Sequence, residues 1–160
     1  MFLLQKSSTG RFFSCICHKK NVPLHFETKQ TTMAEEKHTI AGLSKGIFKD
    51  RGSKFLAFAE PIANEDEAKV RIAWYKKKYH DARHVCYAYR LGENLWRTKD
   101  DGEPHGTAGM PILRSIDAQK LDNILVVVVR YFGGTLLGTG GLMVAYREAT
   151  KEAIKNAEIQ

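Results

Sequence analysis

The sequence predicts an α+β fold, a two-layer sandwich of a mixed β-sheet with helices on one face. Three observations carry this. Five short segments read as strands, one of them the wholly apolar run Ile124–Val129. Other segments repeat apolar residues at helical spacing instead. The two kinds follow one another as β-β-α-β-β-α-β-α, with no internal repeat and no low-complexity tract.

Taken in order, "SKGIFKD" and "KFLAFAEPI" form two strands joined by a turn at Arg51-Gly52-Ser53. "NEDEAKVRIAWYKKKYH" is a helix: Asn64 suits the N-cap, Glu67 completes a capping box, and Lys76 to Lys78 sit at the negative end of the dipole. Ala68, Ile72, Tyr75 and Tyr79 mark its buried face. "RHVCYAYRL" sets Val85, Tyr87 and Tyr89 against His84, Cys86 and Ala88, the two faces of a strand. "NLWRTKD" pairs back through Gly92-Glu93-Asn94, and a short helix follows around Ile112 to Lys120. "NILVVVV" is the central strand, since only a strand covered on both faces is apolar throughout. The last helix, about Thr139 to Ala157, buries Leu142, Ala145, Tyr146, Ala149, Ala153 and Ala157.

The 160 residues accommodate one domain, residues 39–160, after an unstructured tail, residues 1–38. Patterning begins only after Met33, which makes that methionine a candidate initiator and the residues before it a start-site artefact; an acid-poor tail of this kind also fits a transit peptide. Of 25 Lys/Arg and 18 Asp/Glu, residues 1–32 hold five and one, leaving 20 against 17 in the body. A charge of about +3 on the body does not by itself make a nucleic-acid binder. Two of the three cysteines, Cys15 and Cys17, lie in the tail, and Cys86 alone in the body fits a reducing compartment. "CICH" at Cys15 to His18 lacks a second ligand pair, so no metal site is expected there. No apolar run reaches the roughly 20 residues of a membrane span.

Two loops carry the candidate chemistry. "RYFGGTLLGTGGL" sets five glycines, Gly133, Gly134, Gly138, Gly140 and Gly141, between the central strand and the last helix. Backbone N–H groups at such a helix start suit phosphate. No Gly-Lys-Ser/Thr follows, and Met143 stands where a dinucleotide loop needs its third glycine. The alternative is a tight turn that lets helix and sheet approach closely. Arg130, Tyr131 and Phe132, just before the loop, suit phosphate pairing and base stacking, or else an ion pair for Arg130 and core packing for Tyr131 or Phe132. The second loop, "DDGEPHGTAG", gathers Asp100, Asp101, Glu103 and His105, which fits Mg²⁺ or proton transfer but also a solvated turn. His84 and Cys86 share a face near 7 Å apart, too far for a catalytic pair.

The stretches "KDRGSKFLAF", "ARHVCYAYRLG", "DDGEPHGTAGMPIL" and "VVVRYFGGTLLGTGGLMVAY" resemble the IMPACT/YigZ family, over about residues 40 to 158. The resemblance implies a fold like domain IV of elongation factor G, with a left-handed βαβ crossover that the general rule disfavours. Eukaryotic relatives carry an N-terminal RWD domain and compete for the activator of the amino-acid-starvation kinase. Bacterial relatives carry a ferredoxin-like C-terminal domain and have been proposed to bind nucleic acid or the translation machinery. The sequence departs from both plans: residues 1–32 do not pattern as an RWD domain, and it stops at "NAEIQ", where the C-terminal domain would begin. Met110 and Val144 stand where many relatives carry Lys or Arg.

The expected function is that of a nucleic-acid- or ribosome-binding module in translation regulation, cytoplasmic, not an enzyme, with no cofactor, no metal, no membrane contact and no DNA specificity. Its partner is RNA, the ribosome or a translation-factor protein. The contact set is Arg130, Tyr131, Gly133, Gly134, Gly138, Thr139, Gly140 and Gly141. Asp101, Gly102, Glu103, Pro104, Gly106, Thr107 and His84 form the rim. Arg130→Ala is expected to weaken binding without unfolding the domain. The alternatives are a protein–protein adaptor without RNA contact and a Mg²⁺-dependent phosphate-handling enzyme that uses the glycine loop and Asp101 or Glu103.

Overall fold

The apolar run Ile124–Val129 belongs to β5 (Ile124–Tyr131), buried along its length to Arg130. The structure, a computed structural model, describes residues 36–160; the readings of the tail cysteines and of Met33 lie outside the described residues. Before β5 come β1 (Ser44–Asp50), β2 (Ser53–Pro61), α1 (Glu65–Lys78), β3 (His84–Leu91), β4 (Leu95–Lys99) and α2 (Gly109–Ala118); after it comes α3 (Gly138–Lys155). The predicted order holds. His38 already belongs to the fold, because its N–H donates to the Lys120 carbonyl, so residue 38 goes with the domain and not, as expected, with the residues before it.

Local chemistry accounts for the helix ends. The Asn64 side chain accepts from Glu67 N–H at 2.8 Å, and the Glu67 carboxylate accepts from Ala63 N–H at 2.9 Å, which starts α1 as a capping box predicts. Ala68, Ile72 and Tyr75 form its buried face. In α3 the stripe Leu142, Ala145, Tyr146, Ala149 and Ala153 is buried as expected.

The strands run in the order β1-β2-β5-β3-β4, and every neighbouring pair is antiparallel. Two expectations are thereby corrected. The sheet is not mixed, because β5 inserts between the parallel strands β2 and β3, and β3 between β4 and β5. Nor do the helices share a face. Leu125, Val127 and Val129 pack with α1 on one side, and Ile124, Val126 and Val128 with α2 and α3 on the other. A strand apolar at every position needs cover on both sides.

The topology also settles a question of hand. The connections β2-α1-β3 and β4-α2-β5 each join strands of like direction across one intervening strand, and they run over opposite faces. They travel in opposite directions along the sheet on strands of opposite sense, so their hands are opposite. One of the two crossovers is therefore left-handed, against the general preference.

One end of the sheet collects both glycine-bearing loops. The pairs Asp50↔Ser53, Lys54↔Tyr131 and His84↔Arg130 lie there, together with the exit of β4 at Lys99. The C-terminus of α1 feeds β3 at this end and α3 begins there.

Candidate functional site

The glycines of residues 133–141 serve different needs. At Gly133 a Cβ would stand 1.9 Å from the Gly52 carbonyl carbon, so two backbones touch where no side chain fits. Gly138 takes φ +75°, which lets the chain turn sharply into α3. Gly140 has neither need: its φ is unexceptional and open space lies where its Cβ would be. The tight-turn reading thus explains part of the loop. Leu137 is the N-cap of α3 and supplies no side-chain hydrogen bond, and the first turn holds no acidic residue. The first N–H groups of an 18-residue helix therefore point outward beside exposed Thr139 and Gly140, with the positive end of the dipole behind them.

Arg130 is not an exposed contact residue, and this corrects the sequence reading. It is 5% exposed, on the α3 side of β5. Its Nη1 donates to Glu103 Oε1 at 2.6 Å, and the Tyr146 hydroxyl donates to the same oxygen at 2.8 Å. The Cys86 thiol sits against Tyr146 Oη at 3.4 Å and donates to the Asp100 carbonyl at 2.9 Å. Arg130 Nε is buried with no hydrogen-bond partner among the described residues. Tyr131, next along the strand, necessarily points to the other face, where its hydroxyl donates to Asp81 at 3.0 Å. The two residues do not form one contact surface.

The acidic loop is a built structure rather than a cation site. Asp100 accepts the N–H groups of Gly106 (2.9 Å), Ala108 (3.1 Å) and Gly109 (2.8 Å), and so caps α2 from eight or nine residues away. Asp101 accepts Val85 N–H at 2.9 Å and pairs with Lys76 at 3.0 Å. Thr107 closes on the Pro104 carbonyl through Oγ1 at 2.6 Å. His84 Nδ1 lies 2.7 Å from the Asp101 carbonyl, which as an acceptor places the proton on Nδ1 and leaves Nε2 facing Glu103 Oε2 at 3.8 Å. At Gly102, φ +92°, a Cβ would stand 3.2 Å from that imidazole. Among the described residues no group of three His, Cys, Asp or Glu is placed to hold a metal ion. Burial pushes the Cys86 thiol and the Tyr146 hydroxyl well above their ordinary ranges, so neither is a ready nucleophile or base.

Between the two loops lies a pocket of about 300 Å³ lined by Arg83, His84, Glu103, Pro104, Arg130, Phe132 and the stretch Leu136–Thr139 with Leu142. Of the predicted rim, Glu103, Pro104 and His84 line it, whereas Asp101, Gly102, Gly106 and Thr107 fold the loop behind them. Sequence reasoning missed Arg83 and Leu136, weighed Phe132 as a stacking or core aromatic, and read Leu142 only as part of the buried helix stripe. The usable signal is an aromatic and a leucine, Phe132 and Leu136, left 43% and 81% exposed in a loop. The Phe132 ring lies 5.8 Å from the Arg83 guanidinium and 5.7 Å from that of Arg130. At the same end of the sheet, exposed Lys54, Lys77 and Lys78 have no carboxylate of the described residues within 4 Å, and Lys78 lies 4.4 Å over the half-exposed Trp74 ring. No helix among the described residues is long and apolar enough to cross a membrane.

The Impact N-terminal domain family matches residues 51–154. The chain is 49% identical over 105 residues to the "IMPACT family member in pol 5'region" of Thermus thermophilus, covering 66% of this chain and 56% of that one. It is 37% identical over 112 residues to the "IMPACT family member YigZ" of Escherichia coli, covering 68% and 55%. A crystal structure described as that of a hypothetical protein superposes with a TM-score of 0.75 at 33% identity, over 78% of this chain and 62% of its own. The chain thus spans about half the length of these curated relatives. With both family loops in place at one end of the shared fold, the chain belongs to the IMPACT family.

Proposed function

We propose that the domain is a nucleic-acid- or ribosome-binding module in the regulation of translation, acting in the cytoplasm by binding rather than by catalysis. The observation that carries this reading is the uncapped N-terminus of α3, beside exposed Arg83, at the end of the sheet where Lys54, Lys77 and Lys78 are also exposed. N–H groups, lysines and the Trp74–Lys78 pair are the elements with which proteins hold single-stranded phosphate backbones and stack their bases. The carboxylates that a Mg²⁺-dependent enzyme would need are occupied: Asp101 by Val85 and Lys76, Glu103 by Arg130 and Tyr146.

The test is co-sedimentation of the full chain with ribosomes across a salt series, beside the variant Lys77→Glu/Lys78→Glu. Both lysines are exposed at the end of α1, so the change costs the fold about 0.3–1 kcal/mol each in lost helix-dipole interaction and leaves its core untouched. Binding should weaken steeply with salt, by about 0.9 in log affinity per log salt for each phosphate contacted in duplex, and the reversal should flatten that slope. Salt-insensitive sedimentation that survives nuclease would instead make the domain a protein–protein adaptor.

A further inference from the structure

We infer that the pocket between the glycine loop, the end of β5 and α3 binds a single nucleotide unit through its phosphate. Two independent features converge there. One is the uncapped start of α3, with Gly138 and Thr139 lining the pocket and bare space over Gly140. The other is Arg130, whose side chain is 6% exposed, lines the pocket and carries a buried Nε with no partner. A guanidinium so enclosed normally has every N–H satisfied. Here Nη1 is fixed by Glu103, and Nε finds no acceptor among the described residues.

Charge favours an anion. Arg130 cancels Glu103, which leaves exposed Arg83 and the helix end as the uncompensated positive groups of the lining. The rest of the wall is apolar: Pro104, Phe132, Leu136 and Leu142. An aromatic ring flanked by two guanidinium groups suits a planar base, while the helix N-terminus suits the phosphate. About 300 Å³ is at the small end of ligand sites, which fits one nucleotide and not a dinucleotide. A depression of about 350 Å³ at the other end of the molecule, by Lys151, Lys155 and Ile159, meets the negative end of α3 and lacks this convergence.

The nucleotide is either free or the phosphorylated end of an RNA; in the second case the inference rests on the RNA-binding reading. The experiment titrates the full chain with uridine monophosphate, with a short 5′-phosphorylated RNA and with the same RNA bearing a 5′-hydroxyl. It then repeats the titrations with Thr139→Glu. That variant places a carboxylate in the anion position and gives α3 an acidic first turn, so the melting temperature holds or rises while the site is blocked.

The 5′-phosphorylated RNA should bind at least about tenfold tighter than the same RNA with a 5′-hydroxyl, the worth of one charge-assisted hydrogen bond. Thr139→Glu should abolish that difference. Binding of uridine monophosphate alone keeps the pocket and removes the RNA reading. Equal binding of both RNAs with none of the monophosphate overturns the pocket and leaves the RNA reading standing. Unchanged phosphate affinity in Thr139→Glu overturns the inference, as does the absence of any binding.

Discussion

Replacing Arg130 by Met tests the buried ion pair that displaced the expected surface contact. The side chain is 6% exposed and its partner Glu103 3%, so the substitution strands a carboxylate among Tyr146, Cys86 and the core of α3. Breaking such a pair from one side costs about 3–5 kcal/mol, a large part of the roughly 5–15 kcal/mol that holds a domain. With an m-value near 1.5 kcal/mol/M, the urea midpoint should fall by about 2–3 M, read by circular dichroism. The double variant Arg130→Met/Glu103→Gln removes the stranded charge, and its amide still accepts the Tyr146 hydroxyl. It should therefore be more stable than Arg130→Met alone, a coupling that only a direct contact produces. If Arg130→Met lies within about 0.5 kcal/mol of the parent, as surface changes do, the guanidinium is solvated and the reasoning fails.

Asp100→Ala should lower stability by about 2 kcal/mol in the same assay, because the Ala108 and Gly109 N–H groups at the start of α2, and that of Gly106 in the loop before it, lose their acceptor. Burial raises the Asp100 carboxyl pKa, but the Gly106, Gly109 and Ala108 N–H bonds outweigh it and the net shift is downward. A lowered native value means that the stabilisation is complete above the unfolded value of about 3.9 and is lost as pH falls through the native one. Stability measured from pH 6 downward should therefore drop below about pH 4, and less so in Asp100→Asn. Asp101, also lowered, titrates in that window in both proteins, so the difference between them isolates Asp100. Gly133→Ala drives a Cβ into the Gly52 backbone at 1.9 Å and should lower Tm by about 10 °C or more, read by differential scanning calorimetry. In a chain with Cys15 and Cys17 changed to Ser, Cys86 should react with a maleimide only at the rate of unfolding; prompt labelling in native buffer would contradict its burial.

The elements and their order were determined by the sequence itself, because each rests on neighbours within a few residues. Asn64 and Glu67 start α1 through bonds three and four positions apart, and the Leu142–Ala153 stripe selects one face of α3. The run at Ile124–Val129 also announced a strand buried on both sides, a fact at odds with helices on one face. Strand order was decided only by tertiary structure. Inserting β5 between β2 and β3 made every pairing antiparallel and sent α1 to the opposite face from α2 and α3. The fate of Arg130 was decided the same way. Its face follows from strand parity, but whether that face meets water depends on α3 and on Glu103, 27 residues earlier in the chain. Charge, aromatic neighbours and glycines look alike in sequence whether they face solvent or core. Only the packed fold separates the buried guanidinium from the exposed helix end beside it, because burial is set by contacts between residues distant along the chain.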